Sequence, residues 1–450
     1  MSNALFTPPL PHNEPVLSYA PGSPERATLQ AEYDRRIKTR IDAPMWIAGK
    51  AVETKDKRKM APPHKHAHIL GMSHHGDAKH VRAAIDAALR AKRNWENMPF
   101  NDRAAIFLKA ADLLAGPYRA RINAATMLGQ GKNCFQAEID SACELIDFLR
   151  FNVHFAQQIY RDQPMSGPGV WNRMEYRALE GFVYALTPFN FTAIAGNLPS
   201  SAALMGNTVV WKCADTQIYS AQVIMEVFMQ AGLPAGVINL IHVSGPVAGE
   251  VIFKHKDFAG IHFTGSTAVF RNIWQTIGNN LPLYRSYPRI VGETGGKDFV
   301  LAHPTADPVV VATALSRGAF EFQGQKCSAA SRAYIPENIW PQVKKELLAD
   351  LAEMKMGEPR DFKNFINAVI DEKSFDKIAG YIAALKKDKK NVQIIAGGKC
   401  DKSQGYFVEP TVAVTKDPKS VTMCEEIFGP VLTIYVYSTN RWTDTLKLVD

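Results

Sequence analysis

The hydrophobic pattern of the sequence changes at Gly181, after which short apolar stretches alternate with longer amphipathic ones. The apolar stretches predict strands, and the amphipathic stretches predict helices. Such alternation requires a parallel sheet covered by helices on both faces, so we predict an α/β fold. Ligands bind these sheets at the carboxyl ends of the strands. The predicted strands cover residues 182–186, 208–212, 237–242 and 259–264, and the predicted helices cover 197–204, 217–231, 247–255 and 267–279.

Helical patterns also precede this region, and a second series of strands and helices begins near Arg289. Asp77 and Asn101 are each expected to cap a helix, and a longer helical pattern covers residues 137–160. A chain of 450 residues is longer than one hydrophobic core usually serves. We therefore expect a second α/β domain after the first.

Composition excludes several classes of protein. Hydrophobic residues make up 46% of the chain, yet no apolar run is long enough to cross a membrane, so we expect no membrane partner. The net charge of +8 is spread among interleaved acids, which argues against a nucleic-acid partner. The six cysteines form no C-x-x-C pair, and residues 1–19 lack a targeting pattern. We therefore predict a cytoplasmic protein.

Histidines are concentrated between His64 and His80. In the stretch His64-Lys-His66-Ala-His68, alternation would place three rings on one face of a strand. No cysteine or carboxylate nearby completes a ligand set, so we expect an exposed strand edge and no metal site.

Two strand ends are candidates for binding a nucleotide. Gly265 and Ser266 lie between a strand and a helix, where free N–H groups and the helix dipole favour a phosphate. An ordinary turn explains this junction about as well. Lys212 ends another strand with Asp215 three residues later, and the two could hold the hydroxyls of an adenosine ribose. Without further context, a solvated strand end is the better interpretation of Lys212.

One cysteine and one acid are candidates for catalysis. Cys327 lies close to Lys326 and Arg332, whose positive charges favour the reactive thiolate, although most cysteines are inert core residues. Glu293 lies among glycines, which let a carboxylate approach another group closely. The alternative interpretation of that stretch is an ordinary turn.

Six motifs in order resemble those of the aldehyde dehydrogenase superfamily, and together they cover nearly the whole chain. They are Pro188-Phe-Asn-Phe191, Trp211-Lys212, Phe263-Thr-Gly-Ser266, Glu293-Thr-Gly-Gly-Lys297, Gly324-Gln-Lys-Cys327 and Glu425-Glu-Ile-Phe-Gly-Pro430.

The resemblance implies a role for each catalytic residue. Cys327 is expected to attack the aldehyde carbon, and the side-chain amide of Asn190 to hold the resulting oxyanion together with the Cys327 N–H. After hydride transfer, Glu293 is expected to activate the water that hydrolyses the thioester. No metal is implied.

The cofactor implied is NAD. The resemblance assigns the riboses to Lys212 and Glu426, the pyrophosphate to Gly265 and Ser266, and the nicotinamide face to Phe428. Asp215 falls where an acid favours a free 2′-hydroxyl over a 2′-phosphate, so we expect NAD to be preferred over NADP.

Within the superfamily, the chain resembles the glutamate γ-semialdehyde (pyrroline-5-carboxylate) dehydrogenases. Phe270 stands where most members have glycine, and the sequences around Cys327, Pro63 and Glu144 are similar to that branch. The resemblance implies oxidation of the semialdehyde to glutamate in proline degradation, with Ser328, Phe191 and Glu144 contacting the substrate. The alternatives are another short acidic or aliphatic aldehyde, or a non-enzymatic protein on the same scaffold.

The resemblance also implies the domain plan of the aldehyde dehydrogenase fold. Residues 1–165 are expected to supply an N-terminal arm and helices of the NAD-binding domain, and 181–292 its Rossmann-like core. Residues 166–180 would form a β-hairpin that pairs with a partner subunit in a homodimer or a multiple of one. Residues 293–450 would form the catalytic domain, which we expect to be incomplete at its C-terminus.

Overall fold

The computed structural model describes residues 7–450, and the chain divides into two compact units. The first contains the described residues up to Met60, together with Leu70–Gly129 and Ala137–Thr294. The second contains Ala61–Ile69, Gln130–Gln136 and Gly295–Asp450. The sequence analysis had placed residues 61–69 and 130–136 in the first domain. They belong to the second because their partners, such as Tyr406 for Pro63, lie far along the chain.

The first unit is built on a seven-stranded sheet. Its five parallel strands continue into two antiparallel ones. Two predicted strands match to the residue, and the other two differ by one residue at each end. Buried side chains from both faces of the sheet form the core of this unit. The strands, in sheet order, are Arg289–Thr294, Phe258–Gly265, Phe182–Leu186, Thr208–Lys212, Ile238–Ile241, Met45–Ile47 and Lys50–Val52.

A three-stranded sheet lies in the same unit. Its order is Ile41–Ala43, Gly71–His74 and Lys57–Met60. The predicted histidine strand is wrong, because Pro63–Lys65 forms a 3₁₀ helix and the next strand begins only at Gly71. The described residues contain no group of three potential metal ligands.

Among the helices predicted after Gly181, 267–279 matches to the residue and 217–231 begins one residue late, at Ile218. The helix predicted at 247–255 lies at Gly245–Ile252, and the one predicted at 197–204 begins earlier, at Thr192. Asp77 caps its helix as predicted, with a capping box completed by His80. Asn101 does not, because the helix already begins at Phe100 after Pro99. The pattern over 137–160 is interrupted by a π-helix, Glu138–Glu144. The α-helices up to residue 294 are Pro24–Lys38, Ala78–Glu96, Phe100–Ala115, Arg119–Gln130, Cys134–Ala137, Leu145–Arg161, Thr192–Leu204, Ile218–Ala231, Gly245–Ile252 and Thr267–Asn279.

The second unit is built on a five-stranded sheet. Four of its strands are parallel and the edge strand Val392–Ala396 is antiparallel. The strands, in sheet order, are Phe299–Leu301, Arg332–Pro336, Val431–Tyr437, Thr411–Thr415 and Val392–Ala396. Two short strand pairs accompany it, Lys355–Met356 with Asn364–Ile366 and Cys400–Asp401 with Phe407–Val408. The helices are Pro308–Phe320, Trp340–Glu353, Glu372–Lys387, Val421–Cys424 and Trp442–Val449.

The segment expected to form a hairpin, residues 166–180, contains no strand in the described chain. A turn joins Gly167 to Val170, and the side chain of Gln163 bonds the backbone N–H and C=O of Met174. Trp171 is 89% exposed. The segment therefore folds back on itself without a β-ladder, and its pairing with a partner stays a prediction.

Among the described residues, no helix is both long and apolar enough to traverse a lipid bilayer.

Candidate active site

The carboxyl edge of the first unit's sheet places Lys212 beside Asp215. Lys212 ends its strand in register with Leu186 on one side and Ile241 on the other. Its buried ammonium donates to the carbonyl of Cys213 at 3.0 Å and lies 3.5 Å from the Asp215 carboxylate. Asp215 is half-exposed at the start of a 3₁₀ turn. The pair therefore places a buried cation beside a half-exposed acceptor at the sheet edge, an arrangement that suits a ribose site.

The strand Phe258–Gly265 at the same edge leads directly into a helix. Ser266 caps that helix by accepting a hydrogen bond from the N–H of Val269 at 3.3 Å. The helix, Thr267–Asn279, has 13 residues, so its first-turn N–H groups carry the positive end of a full helix dipole. The junction can therefore hold an anion.

Phe270 fills a space that depends on glycine in the next strand. Its ring stacks on Phe263 with centroids 5.4 Å apart, and a Cβ on Gly292 would lie 2.2 Å from it. The aromatic residue in place of the usual glycine is thus matched by Gly292. Sequence analysis identified Phe270 but not this partner.

Two distant side chains fix the backbone around Asn190 and Phe191. The buried Asp140 carboxylate accepts hydrogen bonds from the N–H groups of Thr192 and Ala193, both at 3.0 Å, and so caps the next helix. The Gln217 amide donates to the carbonyl of Phe191 at 2.9 Å. Asn190 itself is 4% exposed. Sequence analysis missed Asp140 and Gln217 because nothing local to Asn190 indicates them.

Glu144 ends the π-helix that carries Asp140. Single π-helical turns occur frequently at functional sites. The residue predicted to contact substrate and the one that caps the Asn190 helix are therefore held by one irregular element.

Glu293 lies near the end of the strand Arg289–Thr294, in register with Thr264. It is exposed. Burial lowers the pKa of His262, and the negative charge of Glu293 opposes that shift. The carboxylate is therefore close enough to influence the neighbouring strand and accessible enough to meet water.

In the second unit, Cys327 follows a backbone segment of unusual conformation. Phe322, Gln323 and Gly324 all have positive φ, at 48°, 55° and 65°. For the two side-chain-bearing residues this conformation costs about 1 to 2 kcal/mol each. Other interactions must therefore hold the segment.

Two glutamines supply those interactions. Gln323 donates to the carbonyls of Gly131 and Ala368 at 3.0 and 2.9 Å and accepts from the Asn367 N–H. Gln325 accepts from the Ile370 N–H at 2.9 Å. We call residues 321–328, which contain the predicted nucleophile Cys327, the nucleophile loop. Gln325 lies within the cysteine motif and Gln323 directly precedes it, but the sequence alone does not indicate this role.

The motif Glu425–Pro430 packs against the nucleophile loop. A Cβ on Gly324 would lie 2.4 Å from the carbonyl oxygen of Gly429, so only glycine allows this approach. Phe428 also has a positive φ of 61°. The motifs Gly324–Cys327 and Glu425–Pro430 therefore pack together as one structural feature.

Glu426 faces the glycines that follow Glu293 in the sequence. Its carboxylate accepts from the N–H of Gly296 at 3.3 Å, and a Cβ on Gly295 would lie 2.1 Å from it. Burial raises the pKa of Glu426. The two glycines therefore make room for an acceptor suited to a ribose hydroxyl.

Lys326 and Arg332, the cations expected to favour the thiolate, have other partners. Lys326 pairs with Glu321 at 2.9 Å, and Arg332 donates to the carbonyl of Lys297 at 2.9 Å. Cys327 is half-buried, and Ser328 beside it is exposed. The thiol is thus accessible, and the structure gives both cations other roles.

Comparison with known proteins decides the family. The model of the aldehyde dehydrogenase family matches residues 46–443. The chain belongs to the aldehyde dehydrogenase family. The fold class predicted from the motifs is thereby confirmed.

Three relatives of this aldehyde dehydrogenase carry the same name. It is 49% identical to the mitochondrial delta-1-pyrroline-5-carboxylate dehydrogenase of Dictyostelium discoideum, over 98% of this chain and 80% of the relative. It is 50% identical to the solved delta-pyrroline-5-carboxylate dehydrogenase of Mycobacterium tuberculosis bound with NAD, with a TM-score of 0.96 over 100% and 83% of the two chains. It is 29% identical to the NAD-bound enzyme from Thermus, with a TM-score of 0.90 over 99% and 85%. These similarities confirm the predicted branch.

Proposed function

We propose that this aldehyde dehydrogenase oxidises L-glutamate γ-semialdehyde to L-glutamate with NAD, in proline degradation. The observation that carries the proposal is the 50% identity with the NAD-bound Mycobacterium tuberculosis enzyme over the whole chain. All three catalytic side chains, Cys327, Glu293 and Asn190, are present. Their presence argues against a non-enzymatic role.

The first half of the reaction is assigned to Cys327 and Asn190. The Cys327 thiolate adds to the aldehyde carbon and forms a thiohemiacetal. Its oxyanion would be stabilised by the Asn190 amide and the Cys327 N–H. Bound NAD supplies the hydride acceptor, and loss of hydride from the carbon leaves a thioester on Cys327.

The second half is assigned to Glu293. Hydrolysis of the thioester requires a base that removes a proton from water as the water attacks the acyl carbon. Glu293 is an exposed carboxylate, which suits that task. The carbon–sulfur bond then breaks, releasing glutamate and returning the thiolate.

The residues present fit a dinucleotide. In the first unit, we assign Lys212 and Asp215 to the adenosine ribose and Gly265 and Ser266 to the pyrophosphate. In the second unit, the partly buried Glu426 and the strained Phe428 are assigned to the nicotinamide end.

Substrate contacts are proposed for three residues. The exposed Ser328 would bind the α-carboxylate, Phe191 would pack on the methylenes and Glu144 would approach the amino group. The hydrogen bond from the Gln217 amide to the Phe191 carbonyl fixes the backbone of Phe191 and so supports its assignment.

The direct test is NADH formation by the purified protein with glutamate semialdehyde, succinate semialdehyde and propanal. We expect the highest kcat/KM with glutamate semialdehyde and no activity in Cys327→Ser. A higher kcat/KM with either other aldehyde would favour the alternative substrate class. Activity of Cys327→Ser above about a hundredth of wild type would contradict the nucleophile assignment.

We also propose a homodimer, or a multiple of one, in the cytoplasm. The apolar, exposed side chains of Met165, Val170 and Trp171 support an assembly surface. No disulfide links any of the six cysteines in the described part of the chain, which suits a reducing compartment. Sedimentation of wild type and Trp171→Glu tests the assembly, and a wild-type monomer at micromolar concentration would contradict it. Cell fractionation tests the location.

A further inference from the structure

The π-helix Glu138–Glu144 is bonded at its first residue to residues 13–19, which we call the arm segment. The Glu138 carboxylate is fully buried and accepts hydrogen bonds from the Leu17 N–H at 2.9 Å and from the Tyr19 hydroxyl at 2.7 Å. Tyr19 is buried and has a positive φ of 51°, a conformation that costs about 1 to 2 kcal/mol. The bonds to Glu138 therefore hold a strained residue in place.

Arg119 compensates the buried charge of Glu138. Its guanidinium pairs with the carboxylates of both Glu138 and Glu14, and it donates to the carbonyl of Pro15 at 2.7 Å. Burial alone would raise the pKa of Glu138, but hydrogen bonds from Arg119 and from the arm segment more than offset that effect and lower this pKa. Glu138 is therefore ionised at neutral pH, and its loss would leave a largely buried cation with one partner fewer.

Asn123 links the start of the π-helix to its middle. Its side-chain amide donates to Glu138 at 2.8 Å, and its side-chain carbonyl accepts from the Ser141 hydroxyl at 2.7 Å. Both residues are fully buried. Buried polar networks of this kind rigidify the elements that they join, because the low local dielectric strengthens each bond.

The same π-helix reaches the helix that follows Asn190. Asp140, two residues after Glu138, accepts from the N–H groups of Thr192 and Ala193, both at 3.0 Å. The contacts from the arm segment and those to the Asn190 helix are thus made by neighbouring residues of one short element.

The conformation of this element depends on such contacts. The α-helices Cys134–Ala137 and Leu145–Arg161 flank it directly, so the chain could continue through it as an α-helix. A π-helical turn is rare and persists where tertiary interactions favour it. Reversion to α-helical geometry would turn the side chains of Asp140 and Glu144 in new directions.

We propose that Glu138 is a positioning residue for the oxidation step. By joining the arm segment to the π-helix, it places Asp140 and, through Asp140, the Asn190 amide. This inference rests on the proposed function, in which Asn190 stabilises the thiohemiacetal oxyanion. The arm segment thereby contributes to catalysis, although it contains no residue of the predicted site.

The test measures hydride transfer separately from cofactor binding. Stopped flow follows single-turnover NADH formation with enzyme in excess over glutamate semialdehyde, and calorimetry gives the Kd for NAD. The variants are Glu138→Gln, Tyr19→Phe and the double variant. The matched control is Glu226→Gln, because Glu226 also pairs with an arginine and accepts from a tyrosine hydroxyl but lies on the helix Ile218–Ala231.

We expect single turnover to slow about tenfold in Glu138→Gln and about threefold in Tyr19→Phe. The Kd for NAD and the rate of Cys327 alkylation by iodoacetamide should not change. The double variant should be no slower than Glu138→Gln, because both changes act through the same element. Glu226→Gln should keep the wild-type rate. Tyr19→Phe removes one hydroxyl and no charge, so it decides the question if Glu138→Gln does not fold.

Two results would overturn the inference while leaving the proposed function standing. One is a wild-type single-turnover rate in the folded variants, which would limit Glu138 to stabilising the fold. The other is a loss of similar size in Glu226→Gln or in the affinity for NAD, which would show a general disturbance of the first unit. Absence of NADH formation by the wild type would instead contradict the proposed function.

Discussion

The sheet edge that carries Lys212 and the nucleophile loop that carries Cys327 are built in different ways. At the sheet edge, consecutive buried residues and regular backbone pairing place each side chain. In the nucleophile loop, three residues with positive φ are held by side chains bonded to segments more than 40 residues away in sequence. A local sequence pattern therefore determines where the proposed cofactor residues lie, whereas long-range hydrogen bonds determine where the proposed nucleophile lies.

Among the substitutions that test this difference, Gln323→Ala is expected to have the largest effect. It removes three hydrogen bonds, which together contribute about 3 kcal/mol, from a loop of strained conformation. We expect about 100-fold loss of kcat, because a displacement of about 1 Å at the nucleophile is enough for that. Initial rates and urea unfolding measure both effects.

The control is Gln342→Ala, which removes an exposed glutamine whose hydrogen bond is to Glu346 on the same helix. It should leave kcat and stability within error of wild type. A Gln323→Ala enzyme with near-normal kcat would show that the loop holds its conformation without the long-range bonds.

A smaller effect is expected for Asp140→Ala, which removes the cap of the helix after Asn190. Two N–H groups lose a charged acceptor, so we expect a loss of about 2 kcal/mol in stability and about tenfold in kcat. KM for NAD should not change, because the strands Thr208–Lys212 and Phe258–Gly265 determine the positions of Lys212 and Ser266, and Asp140 caps a different element. Asp140→Asn keeps an acceptor and should recover part of the kcat. Equal changes in kcat and KM for NAD would contradict the positioning role.

A buried lysine in the second unit, Lys297, is expected to lower the stability of the fold. Its ammonium is buried with no hydrogen-bond partner among the described residues, and burial lowers its pKa to about 8. From pH 8 up to the ordinary lysine pKa of 10.5 the unfolded chain binds more protons, so stability rises with pH. Lys297→Met should add about 1 to 2 kcal/mol at pH 7 and abolish that rise.

Urea unfolding between pH 7 and 10 measures this dependence, with Lys387→Met as the exposed control. A wild-type stability that falls across the same interval, relative to Lys297→Met, would contradict the assignment.

The smallest effect is expected for Ser266→Ala at the sheet edge. The cap hydrogen bond is long, at 3.3 Å, so its loss should cost about 0.5 to 1 kcal/mol and weaken NAD binding only a few-fold. Ser244→Ala is the matched control, because Ser244 precedes a helix without a side-chain cap bond. A loss of activity as large as that of Gln323→Ala would remove the proposed contrast between the two regions.

The same contrast explains what the sequence could predict. The strands Phe182–Leu186 and Thr208–Lys212 were predicted to the residue, because runs of buried apolar residues bounded by turns leave little choice. The histidine strand was wrong because Pro62-Pro63 prevents regular pairing and the actual partners are residues 404–406.

The candidate site divides similarly. The motifs predicted catalytic roles for Cys327, Glu293 and Asn190, but no structural role for Asp140, Gln323 or Gln325, whose hydrogen bonds fix the nearby backbone. Gln323 donates a hydrogen bond to a residue 45 positions away in the sequence. No local periodicity of the sequence indicates such a contact. Such residues can be recognised only when the partner backbone is known.

In the proposed mechanism, Cys327 carries an acyl intermediate, and Glu293 helps to hydrolyse it. Stopped-flow measurement of NADH formation by Glu293→Gln with glutamate semialdehyde tests it most directly. We expect a rapid burst of about one NADH per subunit followed by turnover at least tenfold slower than wild type. Absence of the burst, with Cys327 still alkylated by iodoacetamide at the wild-type rate, would contradict it.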